Sequence, residues 1–156
     1  MTAKAAIGMA RSNINIPVSD LLPSLKYIII NKWQVLWNNE QESNKLKSIK
    51  PNVGLWHSST QKIRKYEVIL SRLRIGHSRL THGYLMSSPH DSVPECRECG
   101  TTLSIKHILF DCQNFNRQRT LTFGNKSFKE TLSDSPNFSI YEIIKFLKSS
   151  NLLNKI

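Results

Sequence analysis

Apolar residues in this chain recur at spacings of three and four, and no stretch keeps a long clean period of two, so the pattern predicts a mostly α-helical protein. The first clear run follows Ser19 and Asp20, either of which can cap a helix reaching about Asn39. Its stripe is Leu22, Leu25, Ile29, Trp33, Leu36 and Trp37, with Pro23 accommodated in the first turn. Residues 44–57 contain Pro51 and Gly54 and read as an ordered loop pinned by Trp56, carrying unpaired Lys45, Lys47 and Lys50. Ser58, Ser59 and Thr60 then offer caps for a helix in which Ile63, Tyr66, Leu70, Leu73, His77, Leu80 and Tyr84 keep an unbroken three-four alternation. Beyond Ser87 the chain turns at Pro89 and Pro94 and re-forms short helices near 104–111, 114–122, 127–133 and 139–149. Upstream, residues 2–11 look like the tail of an Ala-rich helix, and Asn13 to Pro17 form an extended connector because Pro17 disfavours helix at Ile16.

Charge adds a partner class to this helical outline. The 156 residues hold 22 Lys and Arg against 11 Asp and Glu, a formal charge of +11, which points to a polyanion. Nucleic acid is the commonest one, since Lys and Arg neutralise phosphates and release condensed counterions; a membrane surface or an acidic protein are the alternatives. No apolar run approaches the roughly 18 residues of a bilayer span, and MTAKAAIGMARS is too weakly apolar for a secretory signal. An intracellular protein, nuclear or cytoplasmic, is expected. Length fits one domain-sized unit or two small ones.

The stretch RIGHSRLTHGYL, residues 74–85, carries two histidines, a serine and a threonine. Ser78 and His82 are four apart and can touch on a helix, yet no acid lies between Glu67 and Asp91 to orient an imidazole, so no catalytic residue is assigned. His77 falls in the apolar series and reads as partly buried, bonded to a neighbouring element. Arg72 and Arg79, seven apart, share a face away from that stripe, with Arg74 beside them and Lys62, Arg64 and Lys65 a few turns earlier. These six residues form a basic ridge suited to phosphate contact.

The three cysteines all fall between Cys96 and Cys112, a poor disulfide framework but a good metal pattern. Cys96, Cys99, His107 and Cys112 make a C-x2-C-x7-H-x4-C set. A C-x2-C turn points two thiolates at one cation, and four closed sulfur and nitrogen ligands describe a structural zinc (Zn2+) site with no position left for a reacting water. The C-x2-C-x4-H-x4-C knuckle spacing itself is absent. His107 and Cys112 lie about 140° from alignment on a straight helix, by the roughly 100° advance per residue, so the helix must tighten or end before Cys112.

Taken in order, RLRIGHSRLTHGYL, PECRECG, LSIKHILFDC and NFNRQR resemble the C-terminal region, after RNase H, of non-LTR (LINE-type, Jockey- or I-like) retrotransposon pol polyproteins. IPVSDLLPSLKYIIINKWQVLWNNE, NKLKSIKP and FLKSSNLLNKI are similar to flanking segments of the same family, so the likeness spans most of the chain. The resemblance implies that residues 1–12 are a remnant of the last RNase H helix. By this reading 13–18 are a linker, 19–90 a helical region with the basic helix, 91–123 a zinc-knuckle-like segment and following helix, and 124–156 C-terminal helices. It also implies that the reverse transcriptase aspartates and RNase H carboxylates belong to missing parts of a parent polyprotein. The expectation is therefore a small helical domain with a Cys3His zinc-knuckle-like insertion, binding RNA or DNA without a catalytic site of its own. The alternative is a protein-interaction or scaffolding module docked on the reverse transcriptase or RNase H domain.

Overall fold

A computed structural model describes residues 17–41, 44–87 and 92–156; the Ala-rich stretch, most of the connector and the turn at Pro89 lie outside them. Among these residues seven α-helices follow in order: α1 (Val18–Asn38), α2 (Lys45–Ile49), α3 (Arg64–Ile75), α4 (Arg79–His82), α5 (Asn116–Phe123), α6 (Phe128–Leu132) and α7 (Ile140–Ser149). Among the described residues no strand forms, and one isolated bridge joins Glu95 and Thr102. The protein is mostly helical, as the apolar periods predict.

The core is assembled around α7. Its Ile140, Ile143, Ile144 and Leu147 recur at three and four and are buried, together with Phe146. Against them pack Leu70 and Leu73 of α3, Ile108 and Leu109, Phe123 of α5 and Leu132 of α6. Phe146 stacks on Phe123 with ring centroids 5.0 Å apart and meets Phe115 edge-on at 6.1 Å. Offset and edge-on pairs of this kind add about 0.5–1.5 kcal/mol beyond the area they bury.

Three expectations change. The long helix after Thr60 is broken: α3 ends at Gly76, whose φ of 84° lies in the left-handed region, and the amides of Gly76 and His77 both donate to the Arg72 carbonyl, closing a helix end. A short α4 restarts behind Ser78, whose amide donates to Thr81 Oγ1 in a reciprocal cap. Second, residues 44–57 are not all loop, because Asn44 accepts the Leu46 amide and caps α2. Two of its three lysines are engaged: Lys47 Nζ donates to the Asn38 and Glu40 carbonyls, and Lys50 Nζ lies 4.7 Å from the Trp56 ring centroid.

Third, α1 begins at Val18 directly after Pro17, so Ser19 and Asp20 lie inside it rather than capping it, and Pro23 falls past the first turn. None of its residues is buried, and Leu22, Leu25, Ile29, Trp33 and Leu36 are all exposed. The helix is tied down near its C-terminal end instead, where Trp37 Nε1 donates to the Lys50 carbonyl and Gln34 bridges Pro51 and Val53.

Gly76 also gives a prediction. A Cβ there would sit 3.2 Å from Lys45 Cδ, on a backbone that L-residues disfavour by about 1–2 kcal/mol. Gly76→Ala is therefore expected to lower unfolding free energy by about 1–2 kcal/mol, read from urea melts. An unchanged midpoint would mean that the left-handed helix end is not required.

Candidate metal centre

Two local structures deliver the four candidate ligands. In the first, the Gly100 amide donates to the Cys96 carbonyl and the Cys96 amide to the Thr101 carbonyl, each at 2.8 Å, reversing the chain over residues 96–101. Gly100 takes φ 62°, the left-handed residue such a turn needs. The Glu95–Thr102 bridge and a 2.8 Å bond from the Leu103 amide to the Pro94 carbonyl fix the base of the turn. Cys96 and Cys99 are thus held on one small loop.

The second is a π turn. Residues His107–Asp111 are wound wider than an α-helix, and the Cys112 amide donates to the His107 carbonyl, five residues back, at 2.7 Å. Fewer degrees per residue bring positions five apart back toward one side, the alignment an α-helix denies. The helix ends before Cys112, as the spacing requires, but widens where tightening was one of the expectations. Arg119 supports the wide turn: its Nε donates to the Leu109 carbonyl and its Nη2 to the Cys112 carbonyl, both at 2.7 Å. No spacing rule singles out this arginine; it is recognised only once the widened turn leaves carbonyls needing donors.

Side chains of Cys96, Cys99, His107 and Cys112 converge, with their ligand atoms all within 4.8 Å of one another. The Cys96 and Cys112 sulfurs are 3.7 Å apart. Two thiolates each ~2.3 Å from one tetrahedral ion stand about 3.8 Å apart, so the pair is already at a bridgeable distance. Cys96, Cys112 and His107 are buried, and Cys99 is half-buried. His107 Nδ1 is 3.4 Å from Thr101 Oγ1, while its Nε2 is buried without a hydrogen-bond partner. An orphaned buried polar atom costs about 1–3 kcal/mol, and a bound cation at that nitrogen removes the cost. The donor set and the orphaned nitrogen both fit a metal ion.

The thiols are unlike one another. The adjacent His107 imidazole, working against burial and aided by the amides of Cys99 and Glu98, brings Cys96 down to about 6. Burial foremost, with the neighbouring Cys96 and Cys99 adding to it, pushes Cys112 up to about 11. A coordinated cation reverses that resistance, since a ligating thiol is deprotonated outright.

The basic ridge comes apart into different roles. Lys62, Arg64, Lys65, Arg72 and Arg79 are exposed. Arg64 pairs with Glu67, Lys65 Nζ donates to Asn154 Oδ1, and Arg72 Nη1 to the main-chain oxygen of Ile156, so part of this face holds the C-terminal segment. Arg74 is a correction: it is 4% exposed, and its guanidinium donates to the Leu132 carbonyl and the Ser58 and Ser59 hydroxyls. It braces the interior and offers no surface for a phosphate. The helix break at Gly76 puts Arg79 on α4, where it lies beside Asn154 and Lys155 of the same C-terminal segment.

The histidines of the 74–85 stretch pair with each other. His77, expected to be partly buried, is exposed and stacks on His82 at 3.9 Å because α3 stops before it. Ser78 Oγ is buried 3.2 Å from Thr81 Oγ1, and His82 Nδ1 is 2.8 Å from the same oxygen. These hydroxyls serve the α4 cap.

No family model, curated protein or solved structure matches this chain. No described helix is long and apolar enough to cross a membrane.

Proposed function

We propose that this chain is a zinc-stapled, basic module that binds RNA or DNA and carries no catalytic site, the C-terminal part of a non-LTR retrotransposon pol polyprotein working in the nucleus or cytoplasm. The observation that carries it is the buried Cys3His group set in a chain whose cations outnumber its acids two to one. Three thiolates and an imidazole suit zinc over the oxygen-seeking cations, and four protein ligands close the coordination sphere, so the ion would hold structure and perform no reaction. Exposed Lys62, Arg64, Lys65, Arg72 and Arg79 would contact phosphates. Polymerase and RNase H chemistry would reside elsewhere on the parent polyprotein.

Binding of this kind is measured by fluorescence anisotropy with labelled RNA and DNA across a salt series. Five phosphate contacts predict that log affinity falls with log salt at a slope of about −4. A flat dependence would overturn the proposal and favour a second reading, docking on the reverse transcriptase or RNase H domain. The observation behind that second reading is α1, whose Leu22, Leu25, Ile29 and Trp33 all face solvent.

A further inference from the structure

We infer that the groove between α2, the Gly76 end of α3, residues 104–106 and the start of α6 receives one unpaired base of a single-stranded nucleic acid, with the flanking phosphates on its lysine rim. The inference rests on the nucleic-acid reading above and narrows it to a site. The cavity is about 530 Å³, within the range of pockets that enclose small organic ligands. Leu73, Ile105 and Phe128 supply an apolar lining, and Lys45, Lys106 and Lys129 stand around it. No acidic residue lines the groove. All three lysines are exposed, and among the described residues their ammonium groups make no hydrogen bond or ion pair.

An occupant must therefore combine a flat or apolar body with negative charge on more than one side. A base within a strand does so, because a phosphate precedes it and another follows it, whereas a mononucleotide carries its charge at one end. Phe128 is half-buried and held edge-on to Phe110 at 5.7 Å, a fixed aromatic of the kind on which bases stack with little regard to sequence. Gly76 has a part as well: with no Cβ, it lets the Lys45 stem cross the helix end, with Lys45 Nζ 3.8 Å from where that Cβ would be. Ile105 and Lys106, which also line the groove, run directly into His107, so the candidate metal centre anchors that part of it.

The test uses the full, metal-loaded chain and anisotropy with three probes of about twelve nucleotides, a length typical of single-strand sites. They are oligothymidylate, an abasic strand of equal charge, and a duplex. The abasic strand and the duplex are each expected to bind about tenfold more weakly than oligothymidylate. K106E/K129E should weaken oligothymidylate by about tenfold or more and narrow its advantage over the abasic strand. K145E/K148E, which lies outside the groove, should leave that advantage intact. Salt-dependent binding indifferent to bases and to the groove lysines would overturn the groove assignment while leaving the module a nucleic-acid binder. Failure of every probe to bind the unaltered protein would overturn both. Thymidine monophosphate competing at the same concentration as oligothymidylate would overturn the strand and leave a free nucleotide as the occupant.

Discussion

Cys112→Ser is expected to purify without metal and to lose the sharp thermal transition of the unaltered protein. Cys112 is 2% exposed, and the π turn that leads to it buries Ile108 and Leu109 in the same core as Phe146 and Leu70. Without a cation, that wall must accommodate crowded thiols and an imidazole whose Nε2 has no partner. Structural zinc supplies about 10–16 kcal/mol of apparent binding free energy in finger peptides. Whole domains are stable by only about 5–15 kcal/mol. Removing such an ion would therefore compete with the entire stability of the fold, and a chelator should lower helical circular dichroism in the unaltered protein as well. A Cys112→Ser variant that melts like the parent would show that core packing alone holds the π turn.

The second large effect is at Arg74. Its three nitrogens bond Leu132, Ser59 and Ser58, its Cζ lies 3.8 Å over the Trp56 ring, and Phe138 is 5.2 Å away on another side. Burial, offset in part by Asp134, brings its pKa to about 10, so the guanidinium remains charged at neutral pH. Asp134 in turn accepts the His57 and Ser58 amides, drawing the 57–59 turn toward α6. Arg74→Met would leave a carbonyl and two hydroxyls without their donor and take away one of the two cations that Trp56 faces. Each buried acceptor left without its donor costs about 1–3 kcal/mol, so three of them together lower Tm by about 10 °C or more for a chain of this size. Arg74→Lys should lose most of this too, since one ammonium cannot span three acceptors. A Lys-tolerant position whose substitution mainly weakens oligonucleotide binding would return Arg74 to the basic ridge.

Helices whose apolar period coincides with their burial were legible in the sequence. The short helices expected near 127–133 and 139–149 are α6 and α7, and the Cys3His ligands converge as their clustering implied. The break at Gly76 was hidden because Leu80 and Tyr84 continue the same three-four series beyond it and still end half-buried, although the chain has turned. The signal that marks the restart is the reciprocal cap that Ser78 and Thr81 form three residues apart. α2 was missed because Leu46 and Ile49 offer a single helical repeat, too short to outweigh Pro51 and Gly54. The burial of Arg74 is hidden for a different reason: spacing assigns a face, but not whether that face meets solvent or another element. The α1 stripe shows the same limit in reverse, with its apolar period intact and no burial.

X-ray absorption at the zinc edge, combined with metal analysis of the purified chain, tests the central claim most directly. The account predicts one zinc per chain in a shell of three sulfurs near ~2.3 Å and one nitrogen near ~2.0–2.1 Å, supplied by Cys96, Cys99, Cys112 and His107. A folded protein free of metal, or a shell dominated by oxygen, would contradict it.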